Sequence, residues 1–298
     1  MLEAHLIIYF LLVLLQVFSG ILANGLIVRV NGAEWIMQRK IASLDLLLFC
    51  LAISRILLQL HIFGCQLSFH LLVTPFLSAE TMVTLSFTNE LSLWFATWLG
   101  VFYCAKIATV RHPLFLWLKT RISRLVPWLI LGSLLYTVAM CSIYSKPMME
   151  TYQSLFMNLI TKNSTHIPEI DRELLSYFIF GFTVPLSIFL VAGLLLTVSL
   201  VRHAHRMRTV KMGTRGPSRH AHLSAVLSIL SFVILYFSHY LVIMLLSCQV
   251  LPFDSIAFLF CTLMVGAYPS VHSTILILGN PKLKQRAKMS LLHCKCCQ

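Results

Sequence analysis

Charge is what this sequence has least of. Only 11% of its 298 residues are charged, where a soluble globular chain carries about a quarter. Acid is scarcer still, with 10 Asp and Glu against 23 Lys and Arg, for a formal charge of +13. So little polar surface cannot cover a water-soluble fold. The 58% hydrophobic composition and mean hydropathy of +0.86 point to lipid as the main solvent. No short-period repeat and no low-complexity linker divides the chain, so it reads as a single domain over 1–298.

Several kinds of chemistry are missing as well. There is no HExxH, no phosphate-binding glycine loop and no serine paired with a base, so the sequence offers no enzyme centre. The last apolar run holds no lysine before Lys282, which excludes a retinal Schiff base. Paired interruptions by Gly and Pro in inverted halves, the mark of many transporters, are absent. Cysteine is missing between Ser142 and Ser247, and the nine cysteines form no disulfide framework. Cys50, Cys104, Cys141 and Cys261 lie in apolar runs as small hydrophobes. Cys294, Cys296 and Cys297 crowd the C-terminus behind basic residues, where S-palmitoylation and an unmodified reduced tail both remain open. His203-x-His205 and His220-x-His222 lie among arginines without a nearby carboxylate or thiol, a poor zinc site. Neither metal nor cofactor is expected.

What the chain does have is a series of apolar runs about 20 residues long. They are placed at roughly 6–30, 42–66, 81–107, 124–145, 174–201, 222–248 and 253–279. The first, uncharged from Leu6 to Val28, exceeds the 7–15 residues of a cleavable signal core and reads as an anchor that stays. The expected fold is all-α, a seven-transmembrane bundle. Of the 23 Lys and Arg, 19 fall on one set of loops and on the C-terminal tail, and only Lys146, Lys162 and Arg172 on the other. Basic loops stay cytoplasmic, which puts the N-terminus outside and a short amphipathic C-terminal segment inside. Charge spread over one membrane face argues against nucleic acid and for anionic lipid as a partner. Asn163-Ser164-Thr165 is a glycosylation sequon in a loop that the charge rule independently places outside.

A few polar residues lie inside the runs. Arg55 sits mid-membrane, where arginine costs about 2.5–3.5 kcal/mol on insertion scales and turns inward. Asp45 is ten residues away, roughly 15 Å along a helix, too far to pair with it. Asn24, Ser92 and Ser270, with the carbonyls freed by Pro269, are its candidate neighbours. A fixed interhelical clamp and a switch between two states both remain open for Arg55. Leu85, Asn89 and Ser92 share one helical face, and Glu90 turns about 100° away toward another helix, where it must be partnered or protonated. Asn89 reads either as a cavity residue or as half of an interhelical hydrogen bond. His239 and Tyr240 are candidates for lining the same outer cavity. Pro185 and Pro269 remove backbone hydrogen bonds from long helices.

Taken together, the stretches 44–55, 93–122, 199–207 and 268–284 resemble the bitter taste receptors, the taste receptor type 2 family, and the resemblance runs the length of the chain. It implies a seven-helix G-protein-coupled receptor of the plasma membrane. Small bitter agonists would be its ligands and a gustducin-like Gα with βγ its transducer. By the same resemblance, Asn24 and Arg55 match an interhelical clamp. Phe102, Tyr103, Lys106, His112 and Pro113 match the inner motif of the third span, and His203 and Met207 the inner end of the fifth. His272, Ser273 and Leu276 match a seventh-span signature, Asn163 a glycosylation site, and Asn89 the pocket asparagine. His239, Thr262 and Gly266 fall at pocket-lining positions. Leu85 stands where many relatives have tryptophan, and Thr262 where several have glutamate, which favours neutral, apolar agonists. The inner mouth is expected from the 106–124 and 202–221 loops, with Gly213, Gly216 and Pro217 at the tip of the second. A pheromone-type receptor of the same fold, and a small transporter or lipid-modifying enzyme, are the alternatives weighed.

Overall fold

The computed structural model of the chain describes residues 2–71, 75–108, 112–161, 172–210, 217–247, 251 and 255–296. The regular elements among these are helical: α1 Leu2–Gln38, α2 Ser43–Leu71, α3 Pro75–Ile107, α4 Pro113–Thr161 and α5 Arg172–Phe178. A π-helical turn follows at Ile179–Thr183, then α6 Val184–Val210, α7 Pro217–Ser247, α8 Ile256–Gly279 and α9 Pro281–Cys296. Helix is what lipid demands, because backbone N–H and C=O groups there find no water.

Local chemistry sets the helix ends. Pro75, Pro113, Pro217 and Pro281 each stand at a first helical position, where a missing N–H costs nothing. Ser255 caps α8, its hydroxyl accepting the Phe258 N–H at 3.1 Å. Asn280 closes α8 with its own N–H on the Leu276 carbonyl at 3.0 Å, and its Oδ1 accepts the Lys282 N–H at 3.0 Å. One asparagine thus ends one helix and starts the next. Arg39, with φ of 50°, turns the chain out of α1.

α3 packs against α2, α4 and α6, while α1 packs on α2 and α8, and α7 lies between α6 and α8. Leu48, Leu51, Leu93, Leu99, Phe182, Phe189, Tyr236 and Tyr268 belong to the shared core. A second cluster of Leu47, Phe102, Ala105, Ile122 and Val126 joins α2, α3 and α4. Large apolar side chains also point outward, among them Leu15 and Phe18 on α1, Trp128 and Leu135 on α4, and Leu194 on α6. An apolar exterior around a packed, partly polar interior is the inverse of a soluble bundle.

Among the described residues, five helical stretches are long and apolar enough to cross a membrane: His5–Gln38, Ser43–Leu67, Phe115–Gln153, Leu175–Ser199 and Ile256–Gly279. Leu230–Leu246 of α7 is a shorter apolar stretch. α3 is long enough, but its polar residues around Thr88, Asn89 and Glu90 dilute it. The chain is an all-α bundle of multi-pass membrane type.

Two sequence expectations need correction. The inner loops are shorter than 106–124 and 202–221, because residues 113–124, 202–210 and 217–221 are helical. Pro217 opens α7 instead of sitting at a loop tip. Likewise α4 runs on at both ends past the expected 124–145 span. The physical reason is common to both: a helix does not stop where the membrane does, and Lys and Arg are good helix formers that reach the interface from helical backbone.

Candidate functional site

The polar interior divides into three layers. Its inner layer is a clasp. The Lys282 Nζ at the start of α9 reaches Glu34 of α1 and, at 3.0 Å, Asp45 in the first turn of α2. Burial alone would lower the affinity of that ammonium for its proton. The hydrogen bonds and charges of Glu34 and Asp45 outweigh this and raise it above the ordinary 10.5. No pattern in the sequence points to this contact, which joins residues 237 and 248 positions apart. Nearby, Lys106 lies over the Phe102 ring at 5.8 Å, and Tyr103 meets that ring edge-on with centroids 6.5 Å apart. His112 and Pro113 are exposed at the turn into α4. His203 and Met207 lie on the α6 backbone, and their side chains, like Asn163 and the terminal cysteines, fall outside the description.

The middle layer gathers around Arg55, which is fully buried. Its Nη1 donates to Ser273 Oγ at 3.1 Å, and Ser273 Oγ donates to Asn24 Oδ1 at 2.6 Å, with the Pro269 carbonyl a second acceptor at 2.8 Å. Asn24 Nδ2 donates back to the Gly20 carbonyl at 2.9 Å. Arg55 and Asn24 therefore meet through Ser273. Ser270 belongs to an adjoining pair, accepting from Gln59 Nε2 and donating to the Gln16 carbonyl at 3.1 Å. Gln59 is one turn beyond Arg55 on the same face, a spacing from which it could have been anticipated. Ser92 is fully buried and its hydroxyl has no partner. His272 is buried against Phe232, with neither ring nitrogen bonded.

In the outer layer, Asn89 of α3 and His239 of α7 come together. His239 Nε2 donates to Asn89 Oδ1 at 3.1 Å, and the imidazole stacks on Tyr268 with centroids 4.4 Å apart. Of the two sequence readings of Asn89, the interhelical hydrogen bond is present. Glu90 turns the other way and accepts from Tyr177 Oη at 3.2 Å, beside the Gly181 backbone in the π-helical turn. That turn comes directly before Pro185, whose missing N–H leaves the ladder open to an extra residue. Tyr240 Oη meets Thr183 Oγ1 at 3.2 Å, tying α7 to the turn. Leu85 is half-buried on α3. Thr262 bonds Tyr9 of α1 at 2.9 Å, and a Cβ on Gly266 would collide with the Gln16 amide. These two α8 residues thus face α1, on the other side of Tyr268 from the Asn89–His239 pair.

Among the described residues no group of three His, Cys, Asp or Glu side chains comes together as a metal site. The arrangement can bind and reposition.

A family profile described as "Taste receptor protein (TAS2R)" matches residues 1–295. "Taste receptor type 2 member 119" of Rattus norvegicus is 56% identical over 297 residues, covering 100% of this chain and 88% of the relative. "Taste receptor type 2 member 1" of Pan paniscus is 54% identical over 300 residues, covering 100% of both. "Taste receptor type 2 member 2" of Homo sapiens is 35% identical over 288 residues, covering 94% of each.

Proposed function

This chain belongs to the taste receptor type 2 family of G-protein-coupled bitter taste receptors, and from that premise we propose how it works. Seven rods cross the plasma membrane: α1, α2, α3, α4, the α5–π–α6 unit, α7 and α8. The N-terminus is outside, and α9 lies on the anionic inner leaflet. Within the family we place the chain with the member 1 and member 119 receptors. Asn163 carries a glycan on the outer side.

Small, mostly apolar bitter compounds enter from outside and bind between α3, α7 and α8. Leu85, Asn89, His239 and Tyr240 serve as the ligand-facing set, while Glu90, turned to Tyr177, and Thr262 and Gly266, packed on α1, bound it from behind. The observation that carries this reading is the full-length family match, joined to the meeting of Asn89 and His239 across α3 and α7. An interhelical hydrogen bond in a membrane averages about 0.6 kcal/mol. An agonist that takes over either partner therefore loses little by breaking it. Activation follows if the agonist binds the rearranged bundle better than the resting one, since only differential affinity shifts a population. Asn24, Arg55, Ser92, Ser270 and His272 lie between this layer and the inner face and relay the change in α7 and α8. The inner mouth is formed by Tyr103, Lys106, His112, Pro113, His203 and Met207. It receives a gustducin-type Gα with its βγ.

Calcium release in cells that co-express the receptor and a gustducin-like Gα tests this reading. A concentration-dependent response to at least one bitter compound is expected. Silence across a wide bitter panel, with the receptor verified at the surface, contradicts it.

A further inference from the structure

The Asn24–Ser273 clasp occupies only part of Arg55. A guanidinium carries five N–H donors in a fixed fork and keeps its charge in any protein environment. Nη1 reaches Ser273, whereas Nε and Nη2, equally buried, have no partner. Buried charge is stable only when a counter-charge or a full set of hydrogen bonds answers it. No carboxylate does so among the described residues. Glu150 lies by Lys146, Glu34 and Asp45 answer Lys282, and Glu90 is turned to Tyr177.

The surroundings of the guanidinium give the sign of what would answer it. The Tyr268 ring centroid lies 5.6 Å from Arg55 Cζ. Around that same ring stand His239 at 4.4 Å, His272 at 5.7 Å and Tyr236 at 6.3 Å between centroids. The Tyr236 hydroxyl, both ring nitrogens of His272 and Nδ1 of His239 also lack partners. Orphaned polar atoms of α2, α7 and α8 thus collect around one tyrosine, with a permanent positive charge, the Tyr236 hydroxyl and an N–H of His272 as the donors among them, while Nδ1 of His239 is an acceptor. Such a set repels cations. It also disfavours a divalent oxyanion, whose desolvation would exceed what a single positive charge returns.

We propose that the free edge of Arg55 holds a small monovalent anion of the chloride class inside the bundle, next to the α7–α8 contact at Tyr268. The site neutralises the one mid-membrane charge that the described side chains leave unanswered. It requires only the buried guanidinium and does not rest on the ligand-pocket reading.

Thermal unfolding of the purified full-length receptor in lipid nanodiscs tests it, with sodium chloride exchanged for sodium gluconate at constant ionic strength. The midpoint is expected to rise with chloride and saturate, by about 2–4 °C. Bromide and nitrate should substitute, whereas gluconate and sulfate should not. Arg55→Gln should abolish the response, and Arg124→Gln, which alters an exposed cation of α4, should keep it. If Arg55→Gln does not fold, the anion series on the unaltered receptor decides by itself. Chloride-35 line broadening that bromide competes away would be the supporting result. Equal midpoints in chloride and gluconate would mean that water alone serves the guanidinium, and would overturn the proposal. So would a rise that never saturates, one that sulfate reproduces, or one that survives in Arg55→Gln.

Discussion

Asn89 combines a structural bond with a proposed ligand contact, and two measurements separate them. Asn89→Leu removes the bond to His239, so unfolding of the purified receptor should shift by only about 0.6 kcal/mol. Agonist potency should fall by about tenfold or more, equivalent to about 1.4 kcal/mol. A potency change no larger than the stability change would reduce Asn89 to a helix tie. Tyr177→Phe leaves the buried Glu90 carboxyl without its hydroxyl donor and should cost about 1–3 kcal/mol in unfolding. Adding Glu90→Leu to that variant should recover part of the loss, because removing both partners is cheaper than removing one. At this scale the sequence reveals need better than identity. Depth alone says that Glu90 requires a partner, and the 100° between neighbouring positions says that it faces away from Asn89. Tyr177 could not be named, because the rotation of α5 is set by packing around a π turn that carries no signature beyond Pro185. Ser273 came from the resemblance and Gln59 was passed over, although its i+4 spacing from Arg55 was there to be read.

The elements meet through close contacts that small side chains permit. A Cβ added at Gly100 of α3 would lie 2.8 Å from the Phe189 ring of α6. Gly100→Ala should therefore destabilise the bundle by about 1–3 kcal/mol, and Phe189→Leu should restore part of it, as read by unfolding midpoints. At the inner end, Lys282→Met releases α9 from α1 and α2. Its partly exposed, screened ion pairs limit the expected loss to about 1 kcal/mol. The pH dependence has a definite sign. A lysine whose proton affinity is raised by folding contributes fully below its ordinary value of 10.5 and loses that contribution only above it. Stability should thus show no Lys282-dependent change from neutral pH to about 9, and a difference between wild type and Lys282→Met that faded across that range would contradict the clasp. Helix as the element type was legible from hydropathy, since the described residues of the expected spans are helical but for Ala42 and Ser255. The ends were not, because α4, α6 and α7 continue through basic residues that hydropathy reads as loop.

For the whole molecule, the proposed orientation rests on 19 of the 23 Lys and Arg falling on one set of sequence loops and the C-terminal tail, and function on a family match spanning 1–295. Epitope tags at the two termini should stain from outside at the N-terminus and only after permeabilisation at the C-terminus. The reverse pattern would place the proposed agonist layer on the wrong side. What the sequence conveyed least at this scale is how the polar interior is wired. α8 meets α1 and α2 through Ser270, Ser273 and Thr262, and such pairings across more than 200 positions arise only when the bundle closes. The central claim is that a bitter compound bound in the outer half drives a G protein at the inner face. Nucleotide exchange on a purified gustducin-type heterotrimer, with the receptor in nanodiscs as the only other protein, tests it most directly. The account predicts that exchange rises with agonist concentration and that Asn89→Leu shifts the curve to higher concentration; exchange indifferent to every compound active in cells would contradict it.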